Sequence, residues 1–328
     1  MTSSIKSKQR KVIVDPSFAL EWRDIDDFLN EFGPYNGRYI PSYPVDWSSR
    51  LKAHVEELDL LPRKKQEMVT KIWQLARLCT VPENWEWLHS KTWKQNLSDA
   101  HKLINQSIVV GDAFDPAPFE SWQAAIDDIR SSRARSWIFK ASISNYIDLC
   151  RPLLLSSPAA YLIDPYLNPL SEDIEFLLRA FLEKIKGSRC YSIEIITRWP
   201  IEDPNTTILT SKYLSTQDFD KKLRGIYQNV VPKKCTLKIH AVKEGKGDGH
   251  LRMHDRFFLT NFGAINFGHG FRIDGNSDSL QNAFVVDRDH HALLKKTYVE
   301  GVAYFRKNDS STIVRPIPQD VLTFTVQG

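Results

Sequence analysis

The sequence predicts an α/β domain in the C-terminal part of the chain, preceded by a mainly helical region. Two observations support this prediction. From Ala159 onward, apolar runs and an amphipathic segment follow one another in the order strand, helix, strand, which is the unit of a mostly parallel sheet. Before residue 140, apolar side chains instead recur at helical spacing, and eight of the nine tryptophans lie there. We therefore expect a basic, disordered tail over residues 1–12, a helical, tryptophan-rich region over 13–130 and the α/β domain over 131–328.

The helical region is expected to contain amphipathic helices separated by proline-rich breaks. Apolar spacing predicts helices around residues 18–29, from a cap at Asp46 or Ser48 to Leu58, over 68–79, and from Trp85 to Leu103. Residues 108–110 are expected to form a strand and residues 118–129 a helix. The stretch from Trp137 onward fits either an alternating strand or a helix that continues to Leu155, and the pattern does not decide between them. Core packing is the more common use of so many tryptophans, with stacking on bases as the alternative.

The α/β domain is predicted to begin with a buried strand at residues 159–163, which Asp164 and Pro165 end. Ser171 then caps an amphipathic helix that ends before Gly187. The remaining elements are expected as strands at 191–197, 237–242, 256–260, 264–267 and 284–286, and as helices at 218–229 and 289–304. Ligand sites in open α/β sheets lie at the carboxyl ends of strands, so Asp164 is a candidate site residue, with Arg198 and Trp199 on the same rim. An ordinary Asp-Pro turn explains Asp164 equally well.

The composition of the chain bears on its location, on metal binding and on the charge of its partners. The chain has no apolar run of about 18 residues and no apolar stretch near its N-terminus, so we expect a cytoplasmic protein without a membrane span. Its four cysteines form no Cys-x-x-Cys pair, which favours buried thiols over a zinc site, and neither a metal nor a cofactor is expected. A net charge of +4 is compatible with a polyanionic partner such as nucleic acid but does not require one.

The segment that most clearly indicates a chemical function is His254-Asp-Arg256. A second segment, Gly268-His-Gly270, lies shortly after it in the chain. His254 and Arg256 are two residues apart, so a strand would place both side chains on one face. A neutral imidazole can attack phosphorus or transfer a proton, and a guanidinium can hold phosphate oxygens through two parallel hydrogen bonds. A histidine beside a fixed cation therefore suits phosphate chemistry.

This pattern resembles the phospholipase-D-like superfamily, whose members carry His-x-Lys, four residues, then Asp, and later Gly-Ser-x-Asn. Alignment with that motif places His254 on the histidine, Arg256 on the lysine and Asn261 on the aspartate. The segment is also similar to the C-terminal phospholipase-D-like domain of midbody proteins with a microtubule-interacting-and-trafficking module, and to bacterial defence-type relatives. The resemblance covers roughly half of the chain and implies a mixed sheet flanked by helices.

The chain departs from the family pattern at several positions. Gly268 and His269 fall on the Gly-Ser pair, and Phe271 falls on the final asparagine. Arginine for lysine keeps the charge but changes its reach and hydrogen-bond geometry. Asn261 cannot carry the charge of an aspartate, and Phe271 loses a polar contact. A second local match, His89-Ser-Lys91, lies in a tryptophan-rich stretch without the glycine signature and is interpreted as chance.

The resemblance implies a metal-independent phosphodiesterase, in the first place a nuclease acting on nucleic acid, with a role in bacterial defence. Under this hypothesis the catalytic residues are His254, Arg256 and His269, the phosphate-binding residues are Arg256, Asn261, Gly268 and Gly270, and Asp164 orients His254. The alternative is a catalytically inactive module that binds a phosphate-bearing ligand or a partner subunit. The family chemistry needs two histidines, and a homodimer, a partner subunit or His269 within the chain would supply the second.

Overall fold

The computed structural model describes residues 12–15, 22–82, 85–100, 108–110, 119–120, 136–201, 213–243, 256–273, 280–300 and 321–328. Two compact units divide the chain: an N-terminal unit within residues 6–135 and a C-terminal unit within residues 136–328. No helix in the described ranges combines the length and the apolar character that crossing a bilayer requires.

The described part of the N-terminal unit contains helices and short strands. The helices are α1 (Trp22–Glu31), α2 (Trp47–Glu57), α3 (Pro62–Leu78) and α4 (Trp93–Ala100). The strands are β1 (Val12–Val14), β2 (Ile40–Ser42), β3 (Thr80–Pro82), β4 (Ile108–Val110) and β5 (Phe119–Glu120). Strands β1, β4 and β5 form a parallel sheet, and β2 pairs in parallel with β3.

Helices α1, α2 and α3 enclose an apolar core in this unit. The stripe predicted on α3 is confirmed, because Met68, Ile72 and Leu75 are buried in that core. Trp47 is also fully buried there, and its indole Nε1 donates to the carbonyl of Val14 at 2.7 Å. A second cluster packs Trp85, Trp87 and Trp93 against Tyr43. Core packing therefore accounts for most of the described tryptophans, with Trp73 exposed.

Several sequence predictions for this unit were wrong. The helix predicted from Trp85 begins only at Trp93, because the Asn96 side chain bonds to the backbone of Leu88 and Lys91 and holds that segment as a loop. Strand β1 begins at the last residue of the predicted tail, β2 lies in the proline-rich break between the first two predicted helices, and β5 lies in the helix predicted over residues 118–129. Short parallel strands depend on partners far away in sequence, so local periodicity does not reveal them.

The C-terminal unit is built on one mixed sheet. Its strands are β6 (Ser136–Lys140), β7 (Ala159–Ile163), β8 (Ser192–Trp199), β9 (Thr236–Lys243), β10 (Phe257–Thr260), β11 (Ala264–Phe267), β12 (Leu280–Val285) and β13 (Val321–Gln327). Their order across the sheet is β13-β9-β8-β7-β10-β11-β12-β6. Strands β7, β8 and β9 are mutually parallel, whereas the other described pairs are antiparallel. The central strands alone are therefore parallel, and the sheet as a whole is mixed.

Helices cover both faces of this sheet. They are α5 (Ile143–Ser156), α6 (Glu172–Lys184), α7 (Thr216–Tyr227) and α8 (Arg288–Leu294), which continues as a π-helix over Lys295–Glu300. On one face, Phe181 of α6 stacks on Phe258 of β10, with 5.6 Å between ring centroids. Phe257 points to the opposite face, where Leu294 and Tyr298 pack in the same cluster. The predicted α/β class, a large mixed sheet flanked by helices, is confirmed.

The stretch from Trp137, which the sequence pattern left open, is a strand followed by a helix. Strand β6 ends at Lys140, and Ser142 caps α5 by accepting a hydrogen bond from the backbone N–H of Asn145 at 3.4 Å.

The prediction of buried thiols is also confirmed, since all four cysteines are free and buried.

A buried polar cluster on β8, β9 and β13 was not anticipated from the sequence. Glu194 accepts from Lys238 and bonds to His240, both at 2.8 Å, and the other ring nitrogen of His240 lies 3.1 Å from Thr323 Oγ1. Burial would raise the pKa of Glu194, but hydrogen bonds and charge attraction from His240 and Lys238 outweigh it and lower this pKa to about 2. The cluster therefore stabilises the fold only while Glu194 is ionised.

Stability is expected to fall as the pH drops from about 4.5 towards about 2. Because the pKa of Glu194 is lower in the folded state than the ordinary value of 4.5, its stabilisation is complete above that value and is lost on protonation. The full effect is about 3 kcal/mol. Denaturant unfolding followed across this range should show a shallower pH dependence for Glu194→Gln. Asp220→Asn, which removes a surface ion pair with Arg224, should leave the slope unchanged. Equal slopes for all three proteins would contradict this account.

Candidate functional site

Three chain segments meet in the C-terminal unit at the edge of the sheet that is formed by the carboxyl ends of the parallel strands. Strand β7 ends at this edge, and Asp164 follows it directly. Because β10 is antiparallel to β7 and pairs Phe257 with Ile163, Arg256 lies at the same edge. Strand β11 then runs antiparallel to β10, so the Gly268–Gly270 segment that follows it returns to this edge. Residues far apart in sequence are thereby brought together.

Asp164 anchors the loop that follows β11. The residue is 5% exposed; its Oδ1 accepts from the backbone N–H of Tyr166 at 2.9 Å, and its Oδ2 accepts from that of Phe271 at 3.1 Å. Burial raises the pKa of this carboxyl, and the two N–H groups and the Arg256 charge reduce the rise without cancelling it. The bond to Tyr166 is the turn expected of an Asp-Pro pair. The bond to Phe271 is a tertiary contact that the sequence did not indicate.

Gly270 allows the loop to approach Asp164 closely. Its φ is +78°, and a Cβ at this position would lie 2.1 Å from Oδ2 of Asp164 and 2.9 Å from Cδ of Arg256. Tyr146 of α5 holds the other side of the loop by donating to the carbonyls of Gly270 at 2.8 Å and Arg272 at 3.1 Å. The loop is thus fixed between the end of β7 and α5.

Arg256 has a defined orientation at this edge. Its Nη1 donates to the carbonyl of Gly268 at 3.0 Å, and its guanidinium carbon lies 5.3 Å from the centre of the Tyr166 ring. Arg198, near the end of β8, lies 5.1 Å from the same ring. Tyr166 is 60% exposed. Two guanidinium groups therefore flank one exposed aromatic ring.

Asp164, Tyr166 and Arg256 line a cleft of about 470 Å³. Arg256, Arg272 and His269 contribute basic or ionisable groups to its lining, while Asp164 and Asp173 contribute acidic ones. His269 is exposed. Guanidinium groups beside an imidazole can bind an anionic oxygen group such as a phosphate.

Phe271, aligned with the asparagine of the family motif, does not act as a polar ligand. Its ring is 2% exposed and packs against Tyr146 at 5.7 Å and Phe267 at 5.1 Å between centroids. Its contribution to the site is its backbone N–H, which bonds to Asp164. Trp199, expected on the rim, packs against Phe219 and Phe324.

The phosphate-binding role predicted for Asn261 requires correction. Asn261 follows Thr260, which pairs with Ala160 at the beginning of β7, so it lies at the opposite edge of the sheet. Asn261 is five residues beyond Arg256 on an extended chain, which corresponds to a distance of about 16 Å along the strand. Its Oδ1 is buried and has no hydrogen-bond partner within the part of the chain that the structure describes. The aligned position therefore does not contribute to the cleft.

His254 lies outside the described residues, so its predicted roles and its predicted interaction with Asp164 remain predictions. Among the other predicted site residues, Asp164, Arg256, Gly268, His269 and Gly270 are brought together. Sequence reasoning missed Tyr146, Tyr166 and Arg272. Tyr166 could have been found, because it follows the Asp-Pro pair directly, whereas nothing local to Tyr146 indicates its contact with the loop.

No group of three or more His, Cys, Asp or Glu side chains arranged to hold a metal ion occurs in the described ranges.

No protein-family model matches the chain, and no curated protein matches it. Among solved structures, the chain is similar to Nuc, a phospholipase D family member from Salmonella typhimurium, with 11% identity and a TM-score of 0.28. That match covers 50% of this chain and 89% of Nuc. A likeness this weak carries no argument, and the chemistry must be judged from the side chains.

Proposed function

We propose that the C-terminal unit is a phospholipase-D-like phosphodiesterase that cleaves nucleic acid without a metal ion. The observation that carries this proposal is the oriented guanidinium of Arg256 in a cleft that His269 also lines. The His254-x-Arg256 sequence supports it, because the phospholipase-D-like motif that it resembles has a histidine two residues before a cation, and an imidazole can act as a nucleophile.

Each residue has a distinct role in the proposed reaction. Arg256 holds the non-bridging oxygens of the phosphate and stabilises the charge that develops on them. His254 attacks phosphorus to form a phosphohistidine, and His269 donates its proton to the leaving alcohol oxygen. Water then hydrolyses the phosphohistidine, with His269 as the base. Asp164 and Gly270 position the loop that carries His269.

The features around Tyr166 support a nucleic-acid substrate. Its exposed ring, with Arg198 and Arg256 nearby, offers a stacking surface for a base next to cations that attract a phosphate. A lipid would instead require an apolar surface that receives acyl chains. The defence role implied by the sequence resemblance is part of the same proposal.

Hydrolysis should survive removal of divalent ions. The assay uses bis(4-nitrophenyl) phosphate and a labelled single-stranded oligonucleotide, each with excess EDTA, and we expect the same turnover with and without the chelator. The proposed chemistry needs only histidine and arginine groups, which is the reason for this expectation. Loss of turnover in EDTA that a divalent ion restores would exclude the metal-independent mechanism.

A binding module is the second candidate, and two observations favour it. Phe271 is buried where the family motif has a polar residue, and Asn261 lies at the opposite edge of the sheet. Oligonucleotide binding without turnover, weakened by Arg256→Ala and by added salt, would identify this function. Cleavage products would exclude it.

Self-association would offer another source for the second histidine. A two-fold axis beside the cleft would bring His254 of two copies to one phosphate. Light scattering with and without the oligonucleotide tests this arrangement. A monomer that retains turnover would leave His269 as the proposed second histidine.

A further inference from the structure

A second arginine lies beside the cleft without lining it. Arg198 belongs to β8, which runs parallel to β7, so both strands end at the same edge of the sheet. The backbone N–H of Arg198 donates to the carbonyl of Pro165 at 3.4 Å, and Pro165 directly precedes Tyr166. The end of β8 is thereby attached to the turn that carries Tyr166. Of the described residues that line the cleft, Arg256 is one and Arg198 is not.

Tyr166 limits the distance between Arg198 and Arg256. Its ring centre lies 5.1 Å from the guanidinium carbon of Arg198 and 5.3 Å from that of Arg256. An aromatic ring attracts cations that lie within about 6 Å of its centre. The two guanidinium groups are therefore held as a pair, and their separation cannot exceed the sum of these two distances. Tyr166 is itself anchored, since its backbone N–H donates to Oδ1 of Asp164 at 2.9 Å.

The two guanidinium groups occupy different positions relative to the imidazole in the cleft. Arg256 lines the cleft together with His269, and its Nη1 donates to the carbonyl of Gly268 at 3.0 Å. An anion held by Arg198 would instead lie next to the cleft. Because two like charges near one ring repel each other, binding of anionic groups beside both of them is favourable. The pair therefore fits two anionic groups better than one.

Two neighbouring anionic groups are a property of a nucleic-acid strand. Consecutive phosphates of a strand are separated by one sugar, whereas a simple diester has a single phosphate. A guanidinium bonds phosphate oxygens at about 2.7–2.9 Å. Two guanidinium groups that share Tyr166 as a neighbour can therefore each bond one of two consecutive phosphates.

We propose that Arg198 binds the phosphate next to the one that is cleaved, so that the substrate is a nucleic-acid strand with at least two consecutive phosphates. This role rests on the proposed function, in which Arg256 holds the reacting phosphate. Arg198 raises the affinity for a polyanionic strand and selects it over a diester with one phosphate. Because it does not touch the reacting atoms, it is a specificity residue and not a catalytic one.

Three dinucleotides that share the same internal linkage test this role. They are thymidylyl-thymidine and the two compounds that carry an additional phosphate at its 5′ or its 3′ end. With the full chain in EDTA, we expect kcat/KM to be about 10-fold higher for one of the phosphorylated forms. Arg198→Ala should remove this preference and Arg198→Lys should retain part of it, whereas Arg256→Ala should lower kcat/KM for all three compounds. Arg224→Ala, on the surface of α7, should keep the preference unchanged.

Either of two kinetic results would overturn the proposed role. One is equal kcat/KM for the three compounds in the wild-type protein. The other is a preference that survives in Arg198→Ala. Thermal unfolding of each variant shows that it is folded before its kinetics are compared.

Binding measurements keep the test decisive in the absence of turnover. Fluorescence anisotropy of a labelled single-stranded oligonucleotide gives Kd as a function of salt concentration. Loss of one phosphate contact should reduce the slope of log Kd against log salt concentration by about 0.7. Arg198→Ala and Arg256→Ala should each reduce the slope by this amount, and Arg224→Ala should leave it unchanged.

The binding results also separate this role from the proposed enzyme activity. A reduced slope in Arg198→Ala, without turnover in the wild-type protein, would contradict the enzyme and support the second phosphate contact. An unchanged slope in Arg198→Ala, with a reduced slope in Arg256→Ala, would overturn the role of Arg198 alone. Absence of oligonucleotide binding by the wild-type protein would overturn both.

Discussion

Arg256→Ala is expected to lower the rate of phosphodiester hydrolysis by about 10²–10³-fold, because it removes an oriented donor from oxygens on which charge develops. His254→Ala, which removes the proposed nucleophile, should reduce turnover below detection. Arg256→Lys keeps the charge but cannot form two parallel hydrogen bonds, so an intermediate rate is expected. The values of kcat/KM for bis(4-nitrophenyl) phosphate in EDTA measure all three effects.

A matched arginine on the same unit provides the control. Arg224 lies on α7, is half exposed and pairs with Asp220 at 2.8 Å, and it does not line the cleft. Arg224→Ala should therefore keep wild-type kcat/KM. Partial rescue of Arg256→Ala by added guanidinium ion would show that the missing group is the cation itself. Wild-type kcat/KM in Arg256→Ala would contradict the proposed role of this residue.

Gly270→Ala should both destabilise the C-terminal unit and abolish activity. The new Cβ would lie 2.1 Å from Oδ2 of Asp164, and the φ of +78° is unfavourable for alanine. The loop must then move away from β7, which breaks the bond between Phe271 and Asp164 and leaves a buried carboxyl oxygen without its donor. Together these effects are expected to cost about 2–4 kcal/mol in unfolding free energy. Thermal and denaturant unfolding, with kcat/KM on the folded fraction, measure the two consequences.

Gly225→Ala is the matched control for this substitution. Gly225 lies within α7, and a Cβ there would meet no atom within 4 Å, so alanine should stabilise the helix by about 0.5–1 kcal/mol. The double variant Asp164→Ala/Gly270→Ala should be less unstable than the sum of its single changes, because the clash is relieved. Strict additivity, or an unchanged melting temperature for Gly270→Ala, would show that this close approach does not constrain the loop.

Local patterning was sufficient for many elements of the C-terminal unit. The apolar run of β7, the stripe on α6 with Ser171 before it, and β11 occur where the sequence predicted them. These features depend on side-chain periodicity, which a single sequence contains. Ser171 precedes α6 as predicted, but its hydroxyl donates to the carbonyl of Asn168 and does not cap the helix. The same reasoning failed between Trp85 and Trp93, where Asn96 holds the chain in a loop although the apolar spacing is helical.

The sequence by itself determined the α/β class and the order of the main elements. It also identified Asp164, Arg256 and the glycine pair as candidate site residues. Only the tertiary structure decided which of these residues meet. Asp164 and Gly270 are more than one hundred residues apart in the chain, and they contact because β10 and β11 run antiparallel beside β7. Asn261 was misassigned for the same physical reason. The spacing of residues along a strand does not show at which edge of the sheet that strand begins. The direction of the strand is set by its pairing with strands that are distant in sequence.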